Sequence, residues 1–404
     1  MDVFKLAWRN VWRNRRRTLV TIGAMTFALF VMILYSSLIQ GYLRDMEQSI
    51  VDLEVGDIQI FAEDYRENPS LYTRIQDPEA LLEPLAQAGF PASARLLGFG
   101  LAAADEASAG ASFRGIDVER DARVSRIHEE IAEGRWLDPK DPRGVVLGKR
   151  LARTLAVDVG DELLVLSQGA DGSMAYDLYE VRGTLRSMGA AVDRTGVFMT
   201  QESFRELMVV PDGAHQIIVR RPASLELPAA ALEVSGVAST LDVRTWKQLM
   251  PTLASMLESA RGAIWALFFI VYIAIAILIL NAMLMAVFER IREFGVLKAL
   301  GTSPFEVLIL ILLESAIQAG IAIACGLTLS LPALYYLSTV GFNIASLAGV
   351  SIMGIAMNPI WRGVVSGETF SGPVGLLVLV VAIAVLFPAF KAALIQPVEA
   401  MRHR

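Results

Sequence analysis

The chain reads as an α-helical membrane protein with four transmembrane helices and a large α+β domain inserted between the first and second. Three observations carry this. Of the 404 residues, 54% are hydrophobic and the mean hydropathy is +0.49, which is too apolar for an ordinary soluble chain. Four runs, Thr18 to Ile39, Ile264 to Phe288, Val307 to about Val340 and Val374 to Leu394, each hold the roughly 20 apolar residues that a tilted helix needs to cross a bilayer. Between the first two runs, short alternating segments are broken by glycine and proline, the pattern of a folded α+β domain.

Orientation follows from basic residues near the spans. Lys5, Arg9, Arg13, Arg15, Arg16 and Arg17 precede the first; Arg290, Arg292 and Lys298 lie between the second and third; Lys391, Arg402 and Arg404 close the chain. The positive-inside rule puts all three groups in the cytoplasm, and an even number of spans keeps both termini there. The formal charge of −6 is carried largely by the outer segment and argues against nucleic acid as a partner. The one cysteine, Cys325, falls in the third span, so the outer domain must fold without a disulfide. The first run is too long for a signal core, and no small-residue cleavage pattern follows it before Gln40 and Gly41, so it reads as a permanent anchor. The expected segments are 1–17 (amphipathic elbow), 18–40 (span 1), 41–261 (outer domain with helical stalks), 262–288 (span 2), 289–304 (cytoplasmic helix), 305–340 (span 3), 341–372 (outer loop), 373–394 (span 4) and 395–404 (tail).

Phe4, Trp8, Val11 and Trp12 recur at helical spacing in Val3 to Arg13, as expected of a helix lying in the interface where indoles settle. Tyr42 to Leu53 continues span 1 as a stalk, and Thr245 to Ser259 leads helically into span 2. Strands are expected at Asp57 to Phe61, Ser112 to Ile116, Glu162 to Leu166, Tyr176 to Val181, Gly196 to Met199 and Gln216 to Arg220. Helices are expected at Pro78 to Ala88, Lys149 to Ala156, Gln201 to Met208 and Ser224 to Glu233. The small residues of Ala102 to Ala111 read as a mobile loop. Span 3 is longer than one crossing requires, so a kink or exit is expected near Leu331 and Pro332. Within it, Glu314 and Gln318 share a face, and the glutamate reads as an interface residue rather than a proton site, since no other span has an acid in its interior. Ala316, Gly320, Ala324 and Cys325 or Gly326 add a small-residue face suited to close helix contact. The loop from Gly341 to Gly372, around Pro359, Trp361, Arg362 and Glu368, is too apolar to be freely solvated and is expected to rest on the membrane or the stalks.

The segment Glu289 to Gly301, ERIREFGVLKALG, sets Glu289, Arg290, Arg292, Glu293 and Lys298 among Phe294, Val296, Leu297 and Leu300, with Gly301 as C-cap. It reads as an amphipathic helix on the membrane surface. Residue chemistry leaves two uses open: an interfacial anchor, or a lever on which a soluble partner pushes. Catalytic chemistry is missing. Gly144 to Arg150 has three residues between its glycines where a P-loop has four. His128, His215 and His403 have no carboxylate or cysteine at metal-ligand spacing, and Ser167 and Ser173 lack a nucleophile-elbow context.

The run ERIREFGVLKALGTSPFEVLILILLES resembles the region around the second and third spans of FtsX-like/MacB-like (type VII) ABC transporter permeases: alternating charges, a glycine, a basic residue, a second glycine and a membrane glutamate. Here these are Glu289, Arg290, Arg292, Glu293, Gly295, Lys298, Gly301 and Glu314. LAWRNVWRNRRRTLVT is similar to the family's elbow, GRWL with GVVLGKRLARTLAVDVGDEL to its periplasmic core motif, TWKQLMP to its stalk, and PAFKAALIQPVEAMR, with Pro388, Pro397 and Arg402, to its ending. The resemblance implies a bacterial inner-membrane protein with a MacB-like periplasmic core domain. It implies a permease subunit with no cofactor or enzymatic activity of its own, working with a cytoplasmic ABC ATPase dimer that binds ATP and Mg. Further implied partners are a second permease subunit, the same or homologous, a periplasmic carrier or adaptor, and membrane lipids. Glu289, Arg290, Arg292, Glu293, Phe294, Gly295, Leu297, Lys298 and Gly301 would then couple to the ATPase, whose closure is transmitted through spans and stalks to the periplasm. The large outer domain is unlike the division regulator FtsX, and no ATPase is fused as in MacB. That leaves the LolC/LolE lipoprotein-releasing type, with regulation of a periplasmic enzyme, or efflux of a small molecule or peptide with a periplasmic partner, as alternatives.

Overall fold

The computed structural model describes residues 3–343 and 360–394; Pro397, Arg402, Arg404 and most of the expected outer loop, Pro359 included, lie outside them. Two compact units form, one from the described residues up to Arg44 and from Leu257 onward, the other from Asp45–Met256.

In the first unit, helices Arg15–Ile50, Pro251–Glu289, Pro304–Thr339 and Gly367–Leu394 are long and apolar enough to cross a membrane. A short helix, Val3–Val11, precedes them. Met25, Leu29 and Ile33 of the first span meet Phe268, Tyr272, Ile279, Ile311, Leu377 and Val385 in one buried cluster. Phe27, Phe269, Ile270, Ile383 and Phe387 point outward, each more than 60% exposed or close to it, as expected where lipid rather than water is the solvent. The expected small-residue contact face is turned by about one position. Ala316, Gly320, Ala324 and Cys325 are exposed, and Ser315, Ala319, Ala322 and Gly326 face inward. Gly326 alone of the expected set is used: a Cβ there would lie 2.9 Å from Leu29. The third span also stays helical through Pro332 to Thr339 rather than ending near it. Lateral support from neighbouring helices tolerates the missing N–H.

The second unit is built on a ten-stranded sheet. Its strands are β1 Ile58–Phe61, β2 Ala92–Ala104, β3 Ala107–Ile116, β4 Ile131–Gly134, β5 Gly144–Leu147, β6 Glu162–Gln168, β7 Met174–Leu185, β8 Gly196–Thr200, β9 Gln216–Val219 and β10 Asp242–Thr245. They pair in the order β10-β1-β9-β2-β3-β8-β5-β7-β4, with β6 bridging β2 and β7. The supposed mobile loop at Ala102 to Ala111 is instead the tip of the β2–β3 hairpin, in register from Arg95 with Ile116 to Ala104 with Ala107. Asp105 makes the turn at φ 46°. Alanine and glycine are poor strand formers alone, but they fit where backbones approach closely. A Cβ on Gly115 would sit 2.5 Å from Phe204, whose helix Gln201–Met208 lies across the hairpin. The expected stalk from Thr245 is also broken: β10 ends at Thr245, a capped turn Trp246–Leu249 follows, and Met250 leaves helical geometry (φ −125°, ψ 64°) before Pro251 starts the long helix, since proline disfavours the α region for the residue before it.

Two buried polar sites hold this unit together. Arg95 on β2 meets Asp121 in two parallel bonds of 2.7 and 2.9 Å, and Ser125 Oγ donates to the same carboxylate at 2.8 Å. His215, fully buried, accepts the Leu97 N–H at Nδ1 (3.0 Å) and has Nε2 3.4 Å from the Leu71 carbonyl. A backbone N–H can only donate, so the ring is neutral with its proton on Nε2. Burial pushes its pKa down to about 4, with Arg74 and Arg205 adding to the effect against the Leu71 hydrogen bond.

Removing one charge of the first pair, as in Asp121→Asn, should destabilise this unit by about 3–5 kcal/mol, while Arg95→Met with Asp121→Leu recovers much of the loss; chemical denaturation of the full chain measures both. For His215 the unfolded chain gains a proton below pH 6.5 that the folded one refuses. Stability should therefore fall as pH drops from 6.5 towards about 4, and His215→Gln should flatten that slope, read by amide exchange in β2 and β9.

Candidate functional site

The site is the charged helix between the second and third spans and what holds it. The second span ends at Glu289, Arg290 leaves helical geometry at φ −113°, and a new helix runs Ile291–Ala299. Gly301, at φ +99°, closes it: its N–H reaches the Lys298 carbonyl and that of Thr302 the Leu297 carbonyl, at 3.0 and 3.1 Å. This is a Schellman ending, and only glycine adopts that φ without strain. Ser303 and Glu306 then form a capping box with Pro304 in the first turn of the third span, so the reversal is fixed at both ends.

The short helix has an inner and an outer face. Phe294 is 1% exposed within the membrane-unit cluster, Gly295 is buried and Leu297 is half-buried against the same cluster. Arg292, Val296 (50%) and Leu300 (80%) are exposed. Phe294, expected among the residues that couple to the ATPase, is thus turned towards the spans. An amphipathic helix turns its largest apolar side chain to the core, and Val296 and Leu300 form the outer apolar surface.

Most of the charges are committed inside the chain. Arg290 Nη1 lies 2.9 and 3.2 Å from the two Glu314 oxygens, its Nε donates to Glu293 at 3.1 Å, and its guanidinium lies over the Phe294 ring at 5.1 Å. Asn10 of the N-terminal helix donates to the same Glu314 oxygen at 2.6 Å. Arg13 grips Glu293 with both terminal nitrogens, one at 2.8 Å. Arg17 reaches Glu289 at 2.8 Å, and Lys298 donates to the Ala393 carbonyl near the end of the fourth span. Three other elements are thereby tied to the charged helix. The bonds are unequal: side chains of Arg290 and Glu314 are 12% and 9% exposed, so separating them strands a buried charge. Arg13 and Glu293 are largely in water at 60% and 37% and contribute at most about 1 kcal/mol. The hydrogen bond from Arg13 holds the Glu293 carboxyl below the usual carboxylate range and raises Arg13 in turn, while burial lowers Lys298. Gln318 is buried on the Glu314 face, one turn on.

Sequence reasoning singled out Glu289, Arg290, Glu293 and Glu314 but not their partners Asn10, Arg13 and Arg17. A signal did exist: there is no Asp or Glu from Val3 to Arg44, so a basic stretch had no local acid to pair with.

Comparison with known proteins now bears on this arrangement. Residues 18–236 match the MacB-like periplasmic core domain and residues 265–397 the FtsX-like permease C-terminal family. An uncharacterized ABC transporter permease of Methanocaldococcus jannaschii is 25% identical over 68% of this chain and 65% of its own length, so the chain spans about two thirds of that relative. The lipoprotein-releasing system transmembrane protein LolC of Xylella fastidiosa is 24% identical over 72% of this chain and 73% of its own. The LolC of Neisseria meningitidis is 20% identical over 96% and 94%. Such membership implies an ATPase partner and a protein that crosses the membrane several times. The chain belongs to the family of FtsX-like ABC transporter permeases that carry a MacB-like periplasmic core domain.

Proposed function

We propose that this chain is the permease subunit through which a separate ATPase, binding ATP and Mg in the cytoplasm, drives the periplasmic domain of an inner-membrane complex, and that the work extracts lipoproteins or lipid-like substrates from the membrane. The observation that carries the coupling step is the two-faced charged helix. Its inner face is locked by Phe294 and by Arg290 on Glu314, while Arg292, Val296 and Leu300 remain exposed. A push on the outer face would reach the third span through a buried ion pair and the start of the first span through Arg13 and Arg17. Glu289, Glu293, Leu297 and Lys298 flank the docking surface, and Gly301 keeps its end in shape. The substrate class is supported by the LolC relatives, which belong to lipoprotein-releasing systems.

Val296→Asp with Leu300→Asp should weaken co-purification of the ATPase tenfold or more, about 1.4 kcal/mol, without changing the thermal stability of the membrane unit. Phe294→Ala should lower that stability first. Equal ATPase recovery with the double aspartate variant would remove the charged helix from the interface. For the substrate, photocrosslinkers placed at residues 42–52 and 252–261 should capture an acylated protein; capture of a soluble hydrolase alone would replace extraction by regulation.

A further inference from the structure

The five arginines that precede the first span divide into two groups. Arg13 and Arg17 turn to the charged helix and pair with Glu293 and Glu289. Arg9, Arg15 and Arg16 are exposed and meet no acidic side chain among the described residues. Their neighbours explain where they sit. On helix Val3–Val11, at about 100° per residue, Ala7 and Val11 are buried and Asn10 reaches Glu314. Phe4 and Trp8, 58% and 47% exposed, occupy the adjoining arc, and Arg9 lies beyond them. On the first span, Arg15 and Arg16 stand one turn before Leu19 and Val20, 57% and 66% exposed. Those apolar side chains belong to an outward face that only hydrocarbon can solvate. A guanidinium about 6 Å earlier along the helix axis is therefore at headgroup depth, beside aromatic rings of the kind that settle there.

We propose that Arg9, Arg15 and Arg16 form a binding surface for anionic phospholipid headgroups. Charge complementarity selects the occupant. No acid lies between Val3 and Arg44 to neutralise the surface from within, it adjoins the exposed Phe4 and Trp8, and it opens onto the start of a helix whose free N–H groups favour phosphate oxygens. Guanidinium is suited to paired bonds with phosphate. The same stretch of chain thus holds lipid on its outward side and the charged helix on the other.

The test uses the full chain in nanodiscs of phosphatidylcholine with a minor fraction of phosphatidylglycerol, with retained lipids counted by native mass spectrometry. Wild type should retain phosphatidylglycerol severalfold above its share in the disc. Arg9→Gln with Arg15→Gln and Arg16→Gln should bring the ratio close to one, and the matching lysine variant should keep most of the preference. Arg16→Gln alone, a mild change, should fall between, so the result does not depend on the triple variant folding. Arg44→Gln, exposed at the far end of the same helix, should change nothing. Retention of the preference by the triple glutamine variant, an equal loss in Arg44→Gln, or displacement of the lipid by inorganic phosphate would overturn the proposal.

Discussion

A carboxylate about 15 Å along an apolar helix has to find a cation, and Glu314 finds Arg290. The rest of the membrane unit is arranged so that it can. The chain breaks its helix at Arg290, which lets the guanidinium fold back towards the third span instead of extending into the interface. Phe294 fills the space beneath it, and Asn10 brings the N-terminal helix to the same carboxylate oxygen, Oε1. Desolvating two charges is costly, and their mutual attraction offsets that only when the geometry is good and spare lone pairs are bonded. Here both conditions are met by groups from three separate segments, so displacing any one of them disturbs the others.

This makes the short helix a different object from a surface anchor. An anchor needs only an apolar face and charges in the headgroup layer. This helix has its C-terminus closed by a glycine ending, its inner face buried, and its charges, with Arg290 at its start, bonded to the turn before the first span and to the third and fourth spans. In the proposed coupling, a fixed element would transmit displacement where a frayed one would absorb it. The exposed pairs Arg13 with Glu293 and Arg17 with Glu289 contribute little to stability, yet they set which way the helix faces. Direction matters more than strength in such a part.

In the inserted domain the same division holds between apolar bulk and a few polar fixings. The sheet is filled by Phe113, Val145, Val165 and Val181 with the helix carrying Phe204. Arg95 ties β2 to the helix carrying Asp121, and the neutral His215 ties the chain entering β9 to Leu97 and Leu71. Both sites are buried among side chains from distant parts of the chain, so both penalise misregistered pairing of β2.

Hydrophobic run lengths, the distribution of arginines and the motif around Glu289 to Gly301 were enough to determine the four spans, the inserted α+β domain, the charged helix and the family, because each rests on composition or on spacing within one segment. Most of the expected strands and helices lie where local alternation placed them. The fully buried β5, Gly144–Leu147, and the alanine-rich tip of the β2–β3 hairpin were not legible: β5 does not alternate and pairs with strands well beyond it in the chain, and alanine and glycine give no strand signal by themselves. Tertiary structure alone decided that Phe294 faces inward, that Arg290 belongs to Glu314, and that Asn10, Arg13 and Arg17 complete the site. Pairing across some 300 residues leaves no periodic trace in a sequence, because it depends on which helix faces lie together after the chain has folded.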